Sequence, residues 1–330
     1  MATAALKALR RAFPQAEISF AVGSWSRPVL TEHPDIDQLV DVGPQALPTR
    51  SVPGFLGFLR QLRAGRYDLA VSLVRSATMS LALRWSGIPM RAGMHSGHRG
   101  FGYQYRAHVD PRVARHESDI YLDVVAALGI DTAGCLPQIP LPEAAADSLE
   151  TKLQQRGIVP PFFVLHPGGG ENPGAVFPNK RWPLENFLQL AARLEQRWSA
   201  QAIWLVGAEE TSLITELRRR IPALNQVFIG DLRFAEIAQL AHRAILYIGN
   251  DSGLSHYVAA SQARVATIFG PSDPRRYAPL GPATLTLHRS QTSADASTLP
   301  HKPRTWNWQR AGIGVAEAET AVLDWVTGLT

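Results

Sequence analysis

Residues 244–279 read AILYIGNDSGLSHYVAASQARVATIFGPSDPRRYAP, and this stretch decides the fold. Ala244–Gly249 is a short apolar run, long enough for a buried strand. Asn250, Asp251, Ser252 and Gly253 supply turn and N-cap chemistry. Leu254–Ser261 then reads as a helix, and Arg264–Phe269 as a second buried strand. A helix opening directly off the carboxyl end of a strand presents free N–H groups and the positive end of its dipole. Such a terminus suits a phosphate or diphosphate. Ser252 and His256, four apart, share one helix face. Taken singly, each residue has a plainer reading: Asp251 and Ser252 cap a helix, and His256 is an interior histidine.

Outward from this block, apolar runs alternate with helix-spaced segments. Before it, the pattern predicts helices over Ala4–Phe13, Ser24–Glu32, Phe55–Ala64, Ala77–Trp85, Arg115–Leu128 and Glu143–Arg156. Strands are expected over Ala16–Val22, Gln38–Val42 and Leu69–Val74, with another starting at Arg91–Met94. The second half repeats the pattern. Strands are expected at Phe162–His166, Ala202–Val206, Val227–Ile229 and Ala283–Leu287, with helices at Leu184–Trp198, Phe234–Arg243 and Val315–Val326. Residues 288–309 read as polar and irregular. Alternation of this kind argues for α/β architecture with parallel sheets covered on both sides. The Pro-rich stretch 131–142 and the break at Gly157–Pro161 put a domain boundary near Gly157, giving domains 1–156 and 157–330.

Composition narrows the class. The chain has 330 residues, 45% hydrophobic and 18% charged, with a net charge of +5. No run approaches the roughly 20 apolar residues of a membrane span. Cys135 is the single cysteine, which rules out an internal disulfide or a cysteine-based metal site and fits a reducing, cytoplasmic setting. A basic chain suits an anionic partner, but no nucleic-acid motif is present, so nucleic acid ranks last. Asp35-Ile36-Asp37 reads as a solvated turn rather than a metal-binding triplet, and no metal or cofactor is expected.

Further candidates lie outside the central block. The strand Phe162–His166 runs into PGGGENPGAVFPNKRWP, where glycines let backbone N–H groups approach phosphate oxygens and Lys180 and Arg181 add positive charge. Glu209 and Glu210 sit at the carboxyl end of the next strand, where ligands of open α/β sheets bind. His95–His108 (HSGHRGFGYQYRAH) reads as a loop, either plain surface or facing an acceptor, with Arg99 and Arg106 available for phosphates or carboxylates.

The motifs DSGLSH (251–256), FGPSDP (269–274) and HPG…KRWP (166–183) together resemble glycosyltransferase family 9, the ADP-heptose:lipopolysaccharide heptosyltransferases. The resemblance covers essentially the whole chain and is strongest between His166 and Pro279. It implies a GT-B fold, two Rossmann-like domains facing across a cleft, with residues 1–156 on the acceptor side and 157–330 binding the nucleotide sugar. It implies metal-independent, inverting transfer from ADP-heptose to an anionic lipid-linked saccharide of the lipopolysaccharide inner core, on the cytoplasmic leaflet, with possible peripheral membrane contact. The donor site it implies comprises Lys180, Glu210 (Glu209 as alternate), Leu232 beside the adenine, Ser252, Gly253 and His256. Asp251 is assigned to orienting the turn's backbone donors.

One departure concerns the start. The family begins with an apolar strand and a Gly-Asp turn whose aspartate is the expected base. This chain begins inside the following helix, at MATAALKALRRAFP. The expectation is that Met1 is internal and that the base lies about 15–20 residues upstream, one strand plus a turn. The catalytic base is therefore unknown in the given sequence. Other readings stay open: a GT-B enzyme using another sugar, an epimerase, or a catalytically impaired sugar-nucleotide-binding protein.

Overall fold

The computed structural model describes residues 1–44, 47–172, 175–221, 223–289 and 306–329. Its chain divides into two compact units, Met1–Gln138 and Ile139–Thr330.

The first unit runs α1 (Thr3–Ala12), β1 (Ser19–Val22), β2 (Gln38–Asp41), α2 (Val52–Ala64), β3 (Leu69–Ser72), α3 (Ala77–Ser86), β4 (Met90–His95), β5 (Tyr105–His108) and α4 (Glu117–Ala126). Its strands form two parallel sheets, β1-β2 and β3-β4-β5. Phe58, Met79, Leu83 and Tyr103 make one core cluster on this unit, and Met94, Ala107, Ile120 and Val124 another. Two expectations change here. The helix expected at Ser24–Glu32 shrinks to a 3-10 turn, Arg27–Val29, because Pro28 cannot donate and none of the three residues is buried to reward a longer helix. Residues 105–108, expected within a loop, form β5, with Tyr105 to His108 in register with Ala92 to His95. Asp35-Ile36-Asp37 is a turn with Asp37 exposed, as expected, and the Asp37 carboxylate accepts from Arg10 and from Ile18 N, fixing the entry to β1.

The second unit runs α5 (Glu143–Gln155), β6 (Phe162–His166), the two-residue strands β7 (Glu171–Asn172) and β8 (Ala175–Val176), α6 (Leu184–Trp198), β9 (Gln201–Val206), α7 (Thr211–Arg220), β10 (Val227–Ile229), α8 (Phe234–Arg243), β11 (Tyr247–Asn250), α9 (Gly253–Ala260), β12 (Val265–Ile268), α10 (Pro274–Tyr277), β13 (Thr284–Leu287), α11 (Trp308–Ala311) and α12 (Val315–Thr327). The main sheet is fully parallel, in the order β10-β9-β6-β11-β12-β13. Counted from β6 and leaving out the short β7-β8 hairpin, this is the doubly wound 3-2-1-4-5-6 order.

Both faces of that sheet are covered, and the sequence shows why. Along β6, Phe163 and Leu165 join a cluster with Trp182, Phe187, Leu190 and Val322 on the α6/α12 side. Phe162 and Val164 alternate with them and join Leu149, Leu153, Leu240 and Val258 on the α5/α8/α9 side. Each of these strands is buried twice over, which is why it reads as an unbroken apolar run.

Glu236 ties two helices of this layer together. It is 1% exposed and takes Lys152 Nζ at 2.9 Å from α5, Ser148 Oγ at 2.6 Å, and its own Arg233 N at 2.7 Å. Burial opposes its ionisation, but the hydrogen bonds from Ser148, Lys152 and Arg233 N outweigh it and hold the carboxyl at about 2. Its folded value lies below the ordinary 4.5, so its stabilisation is full above about pH 4.5 and is lost as pH falls towards 2. Glu236→Ala should cost about 2–4 kcal/mol in denaturant unfolding at neutral pH, with the difference from the parent shrinking in acid. An unchanged midpoint would remove Glu236 from the helix pairing.

Candidate functional site

In the 3-2-1-4-5-6 order the chain leaves the sheet in opposite directions from β6 and β11, opening a crevice beyond their carboxyl ends. The two strands end there at His166 and Asn250, and α9 starts three residues after Asn250. Ser252 caps α9 from an extended conformation, and Ser255 Oγ turns back to donate to Asn250 O at 2.7 Å. A Cβ added at Gly253 would meet no atom within 4 Å, so the first turn of α9 faces open space.

Asn250 holds the walls of this crevice. Its side chain is fully buried and donates to Pro167 O at 2.9 Å and Gly168 O at 3.0 Å, while Oδ1 accepts from Trp182 N at 2.9 Å. One amide thus pins both ends of the loop 167–182. Glu210 fastens the same loop from the next strand, with Gly169 N and Gly207 N each donating to it at 2.9 Å. Arg181 closes the ring, its Nε donating to Gly169 O at 2.6 Å and its Nη2 lying 3.4 Å from Glu210. Glycine is required along this loop. A Cβ at Gly168 would fall 2.2 Å from Glu210 Oε2, and Gly169, at φ +92°, would drive one to 2.6 Å from Ser252 Cβ.

The charges are arranged as closely. Lys180 Nζ sits 2.6 Å from Asp251 Oδ2, the lysine 27% exposed and the carboxylate 5%. His166 lies beneath the loop with Nδ1 unpartnered, its ring stacked 6.4 Å from Tyr247. Burial pushes this imidazole down to about 4, a shift that the charge of Glu210 opposes and that of Arg181 aids, so it is neutral at physiological pH. The crevice therefore offers backbone N–H groups, a helix terminus and one lysine already balanced by a carboxylate, which is a phosphate-binding chemistry.

The family model for glycosyltransferase family 9 (heptosyltransferase) matches residues 55–300. The chain belongs to glycosyltransferase family 9. Lipopolysaccharide heptosyltransferase 3 of Escherichia coli (strain K12) is 25% identical over 83% of this chain and 79% of its own length. Lipopolysaccharide heptosyltransferase 2 of the same strain is 28% identical over 85% and 81%. The solved E. coli ADP-heptose lps heptosyltransferase II superposes with a TM-score of 0.74 at 19% identity, covering 99% of this chain and 94% of that one. The fold is GT-B and the protein is a glycosyltransferase.

Within this family 9 chain, the structure brings Lys180, Glu210, Asp251, Ser252 and Gly253 to one crevice at the carboxyl ends of β6, β9 and β11. Both Glu210 oxygens serve loop amides, while Glu209 is exposed. The Asp251 carboxylate meets Lys180 instead of the turn's amides, which corrects the role expected of it: with the lysine within 2.6 Å, the ammonium is its strongest partner. Leu232 is half-buried at the carboxyl end of β10 and packs against the α5/α8/α9 core. His256 is half-buried on α9, one turn beyond Ser252. Part of the loop, residues 173–174, lies outside the described residues. In the first unit Arg99 is exposed, whereas Arg106 clamps its own loop, donating to Tyr103 O at 2.7 Å and Phe101 O at 3.2 Å.

Sequence reasoning missed Asn250 and His166 as working residues. For Asn250 a signal existed: an asparagine ending an apolar strand is a buried amide, which must find partners. Asn250→Ala should lower stability by about 2–4 kcal/mol, because it orphans Trp182 N and two carbonyls. Asn250→Asp should be no milder, since it sets a carboxylate oxygen against those two carbonyls. Thermal unfolding of both variants checks this; an aspartate at parental stability would show that the clamp does not operate.

Proposed function

We propose that the protein transfers heptose from ADP-heptose to an inner-core lipopolysaccharide acceptor with inversion at the anomeric carbon. The acceptor oxygen attacks that carbon, the bond to the diphosphate breaks, and ADP leaves with the electron pair. The proton of the attacking hydroxyl goes to a base that we assign to no described side chain. The observation carrying the reading is the juxtaposition of Lys180, the α9 terminus and the glycine loop on one crevice of the second unit. These fixed positive ends match the charge that grows on the leaving diphosphate, and such preorganised electrostatics do the work a divalent cation would do.

The donor assignment draws on relatives named as heptosyltransferases, one of them for ADP-heptose. Lys180, Ser252, Gly253 and His256 take the diphosphate. Glu210 or Glu209 takes the ribose, and Leu232 lies against the adenine. Residues 1–156 take the acceptor, with Arg99 and Arg106 as candidates for its acidic groups, and 157–330 take the donor. The acceptor's lipid brings the enzyme to the cytoplasmic face of a membrane as a peripheral protein.

Calorimetry with ADP and a panel of nucleotide sugars tests this. ADP-heptose should bind more tightly than UDP, GDP or CMP sugars, and a UDP preference would overturn the reading. Lys180→Ala should weaken ADP binding by about 1–3 kcal/mol, the range of a charge-assisted contact. Asp251→Asn should tighten it, because the lysine is released and a carboxylate is removed from beside the phosphates. If both variants weakened ADP alike, Asp251 would be a ligand group and not a counter-charge.

A further inference from the structure

Between Val42 and Val109 the chain carries nine arginines and a single acid, Asp68, while the whole protein has a net charge of only +5. Residues 69–109 contain no acid at all. The helices α2 and α3 fall in this segment.

On α2, Val52, Leu56, Arg60 and Arg63 recur at helix spacing and form one exposed stripe, Val52 at 73% and Leu56 at 47%. Phe58 and Leu59, on the core side of the same helix, are buried. Trp85, at the end of α3, continues the stripe at 53% exposure. It is held there: its ring meets Phe55 edge-on at 5.9 Å, and Arg63 Nη2 donates to its carbonyl at 2.8 Å. Among the described residues no ion pair engages Arg60, Arg66 or Arg84.

We propose that this α2–α3 face, built from Val52, Leu56, Trp85, Arg60 and Arg84, docks on the anionic phospholipid surface of a bilayer. Three features favour lipid over a protein partner. An apolar strip rimmed by arginines alone complements a surface of one charge, and each basic group near such a surface adds to binding. Arginine stems lie along apolar surface while their heads reach phosphates, and tryptophan prefers the headgroup level. Three exposed apolar side chains also fall well short of the roughly 20–30 residues a side of a standard protein interface. No described helix is long and apolar enough to cross a membrane, so the contact is of a helix lying in the interface plane. The inference rests on the proposed lipid-linked acceptor for its purpose, but its test uses none.

The test is co-sedimentation of the whole chain with vesicles of phosphatidylcholine, alone or with about a third phosphatidylglycerol. Binding is expected to the mixed vesicles only, and to be lost near about 1 M salt, where screening is short-ranged. Arg60→Glu with Arg84→Glu should reduce it tenfold or more, and Trp85→Ala severalfold. ADP calorimetry on the same samples verifies the fold of the second unit and judges the donor reading separately. Vesicle binding without ADP binding would leave this proposal standing and remove the donor reading. No binding to mixed vesicles, equal binding by parent and variants, or a dimer abolished by Trp85→Ala without vesicle binding would each overturn the proposal.

Discussion

The second unit depends on a buried amide. A doubly wound sheet parts its chain at the switch point, and whatever lies between β6 and β11 must be held by something other than strand pairing. Asn250 does this with its full capacity, two N–H donors and one oxygen. The consequences run outward. Trp182, seated by that oxygen, is 1% exposed and donates its indole N–H to Ile313 O at 2.9 Å, so the entry to α6 and the approach to α12 share one anchor. Burying an aromatic of this size contributes about 3 kcal/mol, provided its N–H is satisfied, as here.

Around that anchor the site is assembled from groups that cannot easily move. Glu210 spends both oxygens on backbone amides, Arg181 is tied to the loop it follows, and His166 is kept neutral by burial. The result is a crevice of oriented dipoles in which the Lys180–Asp251 ion pair, its lysine 27% exposed, is the most adjustable element. Fixed loop walls and one exchangeable charge would suit the proposed site, which must bind an anion and later release it.

How much of this was legible in the sequence follows the range of the interactions. The strand–turn–helix of 244–260 is coded locally, by an apolar run and an N-cap serine; its helix stands within one residue of expectation, while its strand starts three residues later, at Tyr247. The second unit's alternation was equally plain, because strands buried on both faces leave unbroken apolar runs. Partnerships were not legible. Asn250 finds Pro167 across 83 positions, and Lys180 finds Asp251 across 71. No spacing rule reaches that far, so Asp251 read as a turn former and Asn250 as a mere cap. Short-range errors have short-range causes: Pro28 ends a helix that composition alone would allow, and β5 hides behind the glycines of its preceding loop.

The Lys180–Asp251 pair would also govern what the crevice refuses. An uncompensated lysine beside a helix terminus would attract any small phosphate. With a carboxylate 2.6 Å away, the resting site carries little excess positive charge, and free orthophosphate would have to compete with Asp251 for the ammonium. On the proposed reading, a nucleotide diphosphate enters differently: its base and ribose are anchored elsewhere, and its second phosphate gives it the charge to displace the carboxylate. On that reading the protein's own counter-ion would sort phosphates by ligand size, where charge alone could not tell them apart.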